Sequence, residues 1–316
     1  MFPDTDAGFF GDRYNLHGGS VADDTAGQCE ECVASECLLA VSRVGESSPK
    51  PGSDRLSCMR LDQFRKNVYS QNGEDGVIAE IAARLGLVFD STSWCVEFGA
   101  WNGVHLSNTF ALVEAANVNA VYIEGDATKF GALLETAGRF SGIKPVRSMV
   151  VARTGSAKEA EGRFPRGEEA TLDEILESTD CPRDYDLLSI DIDSYDLEVW
   201  ESHKHFNPKI VIVEVNSSIP PGVLQWHSPE TLGNSLSSTL AVAEEKGYSL
   251  VCHTGNAIFV RDDLVPELRL EKLDLAFPER LFNPDWMLEA SLLRGQNRAQ
   301  KRSLLAYVGR RFGRGR

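Results

Sequence analysis

Acidic side chains close several apolar runs of this chain, at places where packing alone has no use for them. Glu97 ends STSWCVEF and is followed by the turn Gly99-Ala100-Trp101-Asn102-Gly103. Glu124 ends AVYIE and is followed by Gly125 and Asp126. Asp191 and Asp193 follow YDLLSI, and Glu214 and Asn216 end KIVIVEVN. Runs this rich in β-branched residues read as strands. Acids at strand ends, beside glycine turns, point to a ligand crevice at one edge of a sheet.

The turn at 99–103 departs from G-x-G-x-x-G, because Trp101 stands where a second glycine would let a pyrophosphate approach. A ligand without phosphate needs no such opening, and S-adenosylmethionine is one. Glu97 is then placed to attract its ammonium. The amides of Gly99, Ala100, Trp101 and Gly103, at a helix start capped by Ser107 or Asn108, would hold its carboxylate. Glu124, with Gly125 and Asp126, would meet the ribose, and two anionic side chains suit a cationic sulfonium. Trp101 also weighs against a nicotinamide-dependent dehydrogenase.

Methyl transfer requires an aligned acceptor and removal of its proton. Asp191 and Asp193 share one strand face, as do Glu214 and Asn216. On adjacent strands these four would offer oxygen ligands to Mg²⁺ or another divalent cation such as Ca²⁺. Asp191 is equally a candidate for a bond to the cofactor. The other candidate for proton transfer is a histidine. His227 is preferred over His105 and His253, because it lies beside Trp226 in the long connection 216–234, and such loops cover ligands. His203 and His205, in ESHKHF, read as an exposed helix end.

These groups need a scaffold, and the chain alternates strand and helix patterns. Strands are expected near 94–98, 120–124, 145–151, 185–190 and 209–215. Helices are expected over 77–87, 108–117, 127–137, TLDEILES, 196–205 and SLSSTLAVAEEKG, the last closed by Gly247. YSLVCHTGNAIFVR reads as a hairpin turning at Thr254-Gly255-Asn256. The fold class is α/β: a Rossmann-like, mostly parallel seven-stranded sheet with an antiparallel edge hairpin and helices on both faces. A leader covers 1–59, the α/β domain 60–264 and a C-terminal extension 265–316.

In order along the chain, YSQNGEDGVIAEI, VEFGAWNGVHLSNT, VYIEGD, TLDEILE, YDLLSIDID and KIVIVEVNSSIPP resemble the FkbM-type S-adenosylmethionine-dependent methyltransferases, over residues 64 to 261. The resemblance implies the class I methyltransferase fold and O-methylation of a sugar or natural-product hydroxyl. It adds Ser70, Gln71 and Asp75 to the residues lining the cofactor pocket. One departure bears on catalysis: where the family resembles K-I-D-V-E-G, this chain has Ser189-Ile190-Asp191-Ile192-Asp193-Ser194. That loss motivates a second reading, a non-catalytic ligand-binding or interaction protein that keeps the fold.

The 316 residues carry a net charge of −15, so the core is not expected to bind nucleic acid. No apolar run is long enough to span a bilayer, and no signal-like N-terminus is present, which makes a cytoplasmic location the expectation. After Glu289 only basic charges follow: Arg294, Arg298, Lys301, Arg302, Arg310, Arg311, Arg314 and Arg316. Such a tail is either solvated or turned toward an acidic partner or a membrane surface. Cys29, Cys32, Cys37 and Cys58 start like a metal half-site but lack a second half, and read as reduced thiols. Cys95, Cys181 and Cys252 read as small core residues.

Overall fold

The computed structural model describes residues 59–152, 169–192 and 194–284. Cys29, Cys32, Cys37, Cys58, Asp193 and the basic residues from Arg294 onward lie outside the described residues.

The elements follow one another as α1 (Glu74–Leu85), β1 (Trp94–Phe98), α2 (Phe110–Ala116), β2 (Asn119–Glu124), α3 (Ala127–Ala137) and β3 (Ile143–Arg147). Then come β4 (Met149–Val150), β5 (Glu169–Ala170), α4 (Leu172–Glu177), β6 (Leu187–Ile190), α5 (Asp196–Ser202) and β7 (Ile210–Glu214). α6 (Leu236–Lys246), β8 (Tyr248–His253), β9 (Asn256–Arg261) and α7 (Lys272–Ala276) complete the order. The main sheet has the order β3-β2-β1-β6-β7-β9-β8, and β4 and β5 form a separate pair. Neighbours from β3 to β7 are parallel, and β9 runs antiparallel to both β7 and β8. The chain therefore has the Rossmann-like class I methyltransferase fold, its hairpin closing one edge. Within that hairpin β9 is the reversed strand and β8 the outermost one.

Alternation along the strands divides the core in two. Val96, Phe98, Val121, Leu188 and Val211 pack on one face with Leu172, Trp200 and Leu236 from α4, α5 and α6. Cys95, Ala120, Tyr122, Leu187 and Ile210 pack on the other with Val77, Ile81 and Phe110 from α1 and α2. Cys95, Cys181 and Cys252 are buried and free. Residues 265–284 pack onto this domain, with Val265, Leu268 and Leu281 in its core. No helix of the described residues is long and apolar enough to cross a membrane.

Helix ends follow local chemistry. Asp126 caps α3 by accepting from Thr128 and Lys129 N–H, and Thr171 with Glu174 forms a capping box on α4. Gly247 closes α6 at φ 76°. At α2 the cap position is Thr109, one beyond the expected Asn108, and its side chain makes no capping bond. Ser107 still does a cap's work, its Oγ accepting from the N–H groups of Thr109 (3.2 Å) and Phe110 (2.9 Å).

One buried acid joins the start of the domain to its closing hairpin. Glu74 is fully buried at the start of α1; its Oε1 accepts from Thr254 Oγ1 (2.7 Å) and Asn256 Nδ2 (3.2 Å), and its Oε2 from Asn72 N–H (2.8 Å). Burial pushes its pKa up. Glu74→Ala strands these donors in the core and is expected to cost about 3 kcal/mol in urea unfolding. Wild-type stability in that variant would show the link to be dispensable.

Candidate functional site

Strand order reverses between β1 and β6, so the crevice for a ligand opens beyond their carboxyl ends. There the two strands touch. Gly99 has φ 74°, and a Cβ built on it would lie 1.9 Å from the Asp191 carbonyl oxygen. Only glycine fits this contact.

The turn after β1 is wired to the end of β2. Ala100 N–H donates to Ile123 O (3.1 Å), and Trp101 N–H donates to Glu124 Oε2 (2.9 Å). The other oxygen of Glu124 accepts from Asp126 N–H (2.8 Å), and the side chain is buried. Trp101 and Leu106 hold positive φ of 49° and 57° without being glycine. Strain of this kind persists where surroundings over-determine it, and it gathers at ligand sites. The Trp101 ring is half-exposed, with Lys129 Nζ 4.3 Å over its centroid and His105 edge-on. Gly125 packs under the Met149 sulfur.

Glu97 lies one strand position from the crevice and is buried. Its Oε2 accepts from Ser107 Oγ (2.8 Å) and Thr109 Oγ1 (2.5 Å). The Thr109 hydroxyl also lies 2.8 Å from Tyr122 Oη; Thr109 has one proton, given to Glu97, so Tyr122 donates there. Burial raises the Glu97 pKa to about 7, against the pull of these hydrogen bonds.

The SQNGED segment turns on Asp75. Its Oδ2 accepts from the consecutive N–H groups of Val68, Tyr69 and Ser70 and from Ser70 Oγ (2.6 Å). Three amides around one oxygen make an anion nest filled by the chain's own carboxylate. The other oxygen, Oδ1, is buried without a hydrogen-bond partner among the described residues. The Gln71 carbonyl accepts from Asn67 Nδ2 (2.8 Å).

Just past the end of β6, Asp191 is partly exposed, and Asp196, unmarked in the sequence reading, shapes the turn that follows. Asp196 is buried and accepts from Ile192 N–H (2.7 Å) and Ser194 N–H (2.9 Å). An aspartate in a first helical turn after a strand was the available signal. Glu214 is partly exposed at the end of β7, in register with Asn256. Asn216 is spent within its loop: Nδ2 donates to Leu232 O (2.8 Å), and Oδ1 accepts from Ser218 N–H (3.1 Å) and Oγ (2.5 Å). Among the described residues no three His, Cys, Asp or Glu side chains cluster to hold a metal ion.

His227 packs edge-on against Tyr195 at 4.6 Å, and its Nδ1 accepts from Gly233 N–H (3.1 Å). A neutral ring held this way carries its proton on Nε2, so the remaining nitrogen is a donor. Burial lowers its pKa. His253 is a core residue, its Nδ1 accepting from Asn283 N–H (3.0 Å) and its Nε2 bonded to Ser217 Oγ (2.9 Å); burial holds its pKa near 4. His203 corrects the sequence reading. It is buried rather than exposed, with Nδ1 2.6 Å from Asp173 Oδ1; burial opposes the Asp173 charge, but the hydrogen bonds from His203 and from the Lys204 and His205 N–H groups together outweigh it and hold that carboxyl at about 2. His205 is exposed, beside Glu177.

No protein-family model matches the chain, and comparison with curated protein sequences finds no match. Solved structures with similar architecture include a SAM dependent methyltransferase from Aquifex aeolicus (11% identity, TM-score 0.36, 67% of this chain and 97% of that one). Another is TYW2 of M. jannaschii in complex with AdoMet (14%, 0.33, 62% and 79%). A third is a Galdieria sulphuraria protein proposed to be a sarcosine dimethylglycine methyltransferase (14%, 0.35, 55% and 60%). The chain spans 60% of the length of the Galdieria protein.

Gly99→Ala places a methyl group against the Asp191 carbonyl at a positive φ. It is expected to cost at least about 2 kcal/mol in urea unfolding. A neutral substitution would show that β1 and β6 can part at no cost.

Proposed function

We propose that this chain binds S-adenosylmethionine in the crevice beyond β1 and β2 and methylates a hydroxyl of a small molecule. One observation carries the reading: Glu97, one position before the end of β1, and Glu124, at the end of β2, are both buried on adjacent parallel strands beside the Gly99–Gly103 turn, next to the β1–β6 pair where strand order reverses. The donor set fits a cationic ligand without phosphate. Two carboxylates and the Asp75 oxygen that has no hydrogen-bond partner among the described residues favour positive charge, and Trp101 stands where a glycine would admit a pyrophosphate.

When bound, the cofactor supplies an electrophilic methyl group on a sulfonium. Glu97 takes the ammonium in this reading. The oxygens of Glu124, each with a lone pair beyond its amide bond, accept from ribose hydroxyls, and Gly125 and Asp126 border them. Ser70, Gln71 and Asp75 line the same side. In this reading Asp191 receives the acceptor's proton, with Asp193 the other candidate for that role, while His227, donating through Nε2, holds the acceptor oxygen. FkbM-type relatives would share this division of labour.

A second reading, a binding protein that keeps the fold and the cofactor, is favoured by one feature. The neutral lone pair of His227 is already taken by Gly233. Transfer of a labelled methyl group to any hydroxyl acceptor eliminates it.

The Glu97 pKa near 7 yields a pH test. A cation binds the ionised form, so affinity falls by up to about tenfold per pH unit below 7 and levels above it. Calorimetric titration of S-adenosylmethionine from pH 5.5 to 8.5 should show this rise. Glu97→Gln should weaken binding about tenfold at pH 8 and flatten the profile. Wild-type affinity and profile in that variant would remove Glu97 from the site.

A further inference from the structure

We infer that the acceptor is a neutral molecule carrying its hydroxyl on an apolar or aromatic frame, and that the loop between β7 and α6 receives that frame. The inference rests on the methyltransferase reading and names its acceptor class.

The loop inverts the usual surface arrangement. Its polar groups turn inward onto one another. Gln225 donates through Nε2 to Leu232 O (3.3 Å) and Gly233 O (3.1 Å), and its N–H reaches Ser235 Oγ (3.1 Å). Asn234 accepts from His227 N–H (2.8 Å), and Ser228 pairs with Thr231 through both backbones. The apolar side chains turn outward: Leu224 is 70% exposed and Leu232 74%, with Val223 and Trp226 also exposed. A loop that spends its hydrogen bonds internally while presenting leucines to water is built to cover something apolar.

Its position ties it to the acceptor side. Asn234 Nδ2 donates to Ser194 O (3.4 Å), and His227 packs on Tyr195, itself exposed. Both Ser194 and Tyr195 belong to the turn that begins at Asp191. The loop thus meets the crevice turn through His227 and Asn234, with Leu224 and Trp226 exposed on the loop, Tyr195 exposed on the turn, and the Nε2–H of His227 left as a donor. A hydroxyl on an apolar frame matches that pattern: the frame on the leucines and rings, the oxygen on the donor.

Charge selects the occupant further. Residues 216–235 contain no lysine or arginine, and Glu230 is their single charged side chain. An anionic substrate or an acidic lipid surface would find no counter-charge on this loop. A free sugar would leave its hydroxyls facing leucine. A neutral aromatic or alicyclic alcohol meets neither penalty.

The test uses the full chain, with 1-naphthol as the apolar hydroxyl probe, methyl glucoside as the polar one and phosphatidylcholine vesicles as the lipid surface. Calorimetry is run on wild type, Leu224→Asp and Leu232→Asp, both at exposed positions that folding does not need. The expected result is binding of 1-naphthol, weakened about tenfold in each variant, and no measurable binding of the glucoside. Equal naphthol binding by variants and wild type, or preferential binding of the glucoside, would overturn the inference. Vesicle sedimentation lost in the variants would also overturn it, assigning the loop to a membrane surface. S-adenosylhomocysteine is titrated separately. Its failure to bind would count against the cofactor reading alone, and the naphthol comparison would still decide the loop.

Discussion

The site depends on how the turn after β1 is held. A strand that ends in a crevice leaves its next amides without a sheet partner, and here they are claimed by β2: Ala100 by the Ile123 carbonyl, Trp101 by the Glu124 carboxylate. The same carboxylate takes the amide of Asp126, so one buried side chain fixes the exits of β1 and β2 together. Gly99 makes that geometry possible, because its missing side chain lets β6 close against the turn. Two non-glycine residues then sit at positive φ, and the ring of Trp101 is presented at the mouth. Backbone cost is concentrated where a ligand would gain from a preset surface.

Around this turn the protein repeatedly satisfies buried acids with its own amides and hydroxyls. Asp75 fills a nest, Asp196 clamps the turn after β6, and Glu97 gathers two hydroxyls. Buried carboxylates are costly unless bonded, and these bonds turn the cost into rigidity of the loops that line the crevice. The bonding is uneven, and that unevenness carries information. Glu97 still sits near neutrality in pKa, and one oxygen of Asp75 has no partner among the described residues. Beside the β1 turn these carboxylates are left short of full compensation, an environment suited to a cation.

Much of this architecture was legible in the amino-acid order. β-branched runs such as KIVIVEV and glycines such as Gly247 act locally, and local rules placed the strands, the hairpin and the α6 end within a few residues. The acids at strand ends stood out because packing has no use for them. What escaped were pairings between distant segments. ESHKHF reads as a polar surface string, yet His203 is buried because Asp173, thirty residues earlier, meets its ring. Glu74 lies in a polar stretch ahead of the helix expected over 77–87, and its partners are Thr254 and Asn256 at the far end of the domain. Asn216, expected as a metal ligand, is consumed by Leu232 and Ser218 in a loop whose folding no periodicity announces. The tautomer of His227 likewise depends on one amide, that of Gly233.

The central claim is that the crevice beyond β1 and β2 recognises a sulfonium nucleoside rather than a dinucleotide. Equilibrium titration of the full chain with S-adenosylmethionine, S-adenosylhomocysteine and NAD at one pH tests it most directly. The account predicts saturable binding of the first two in the micromolar range, tighter for the cationic form, and none of NAD. Binding of NAD with no response to either adenosyl compound would contradict it, and the Trp101 turn would then have to open for a pyrophosphate.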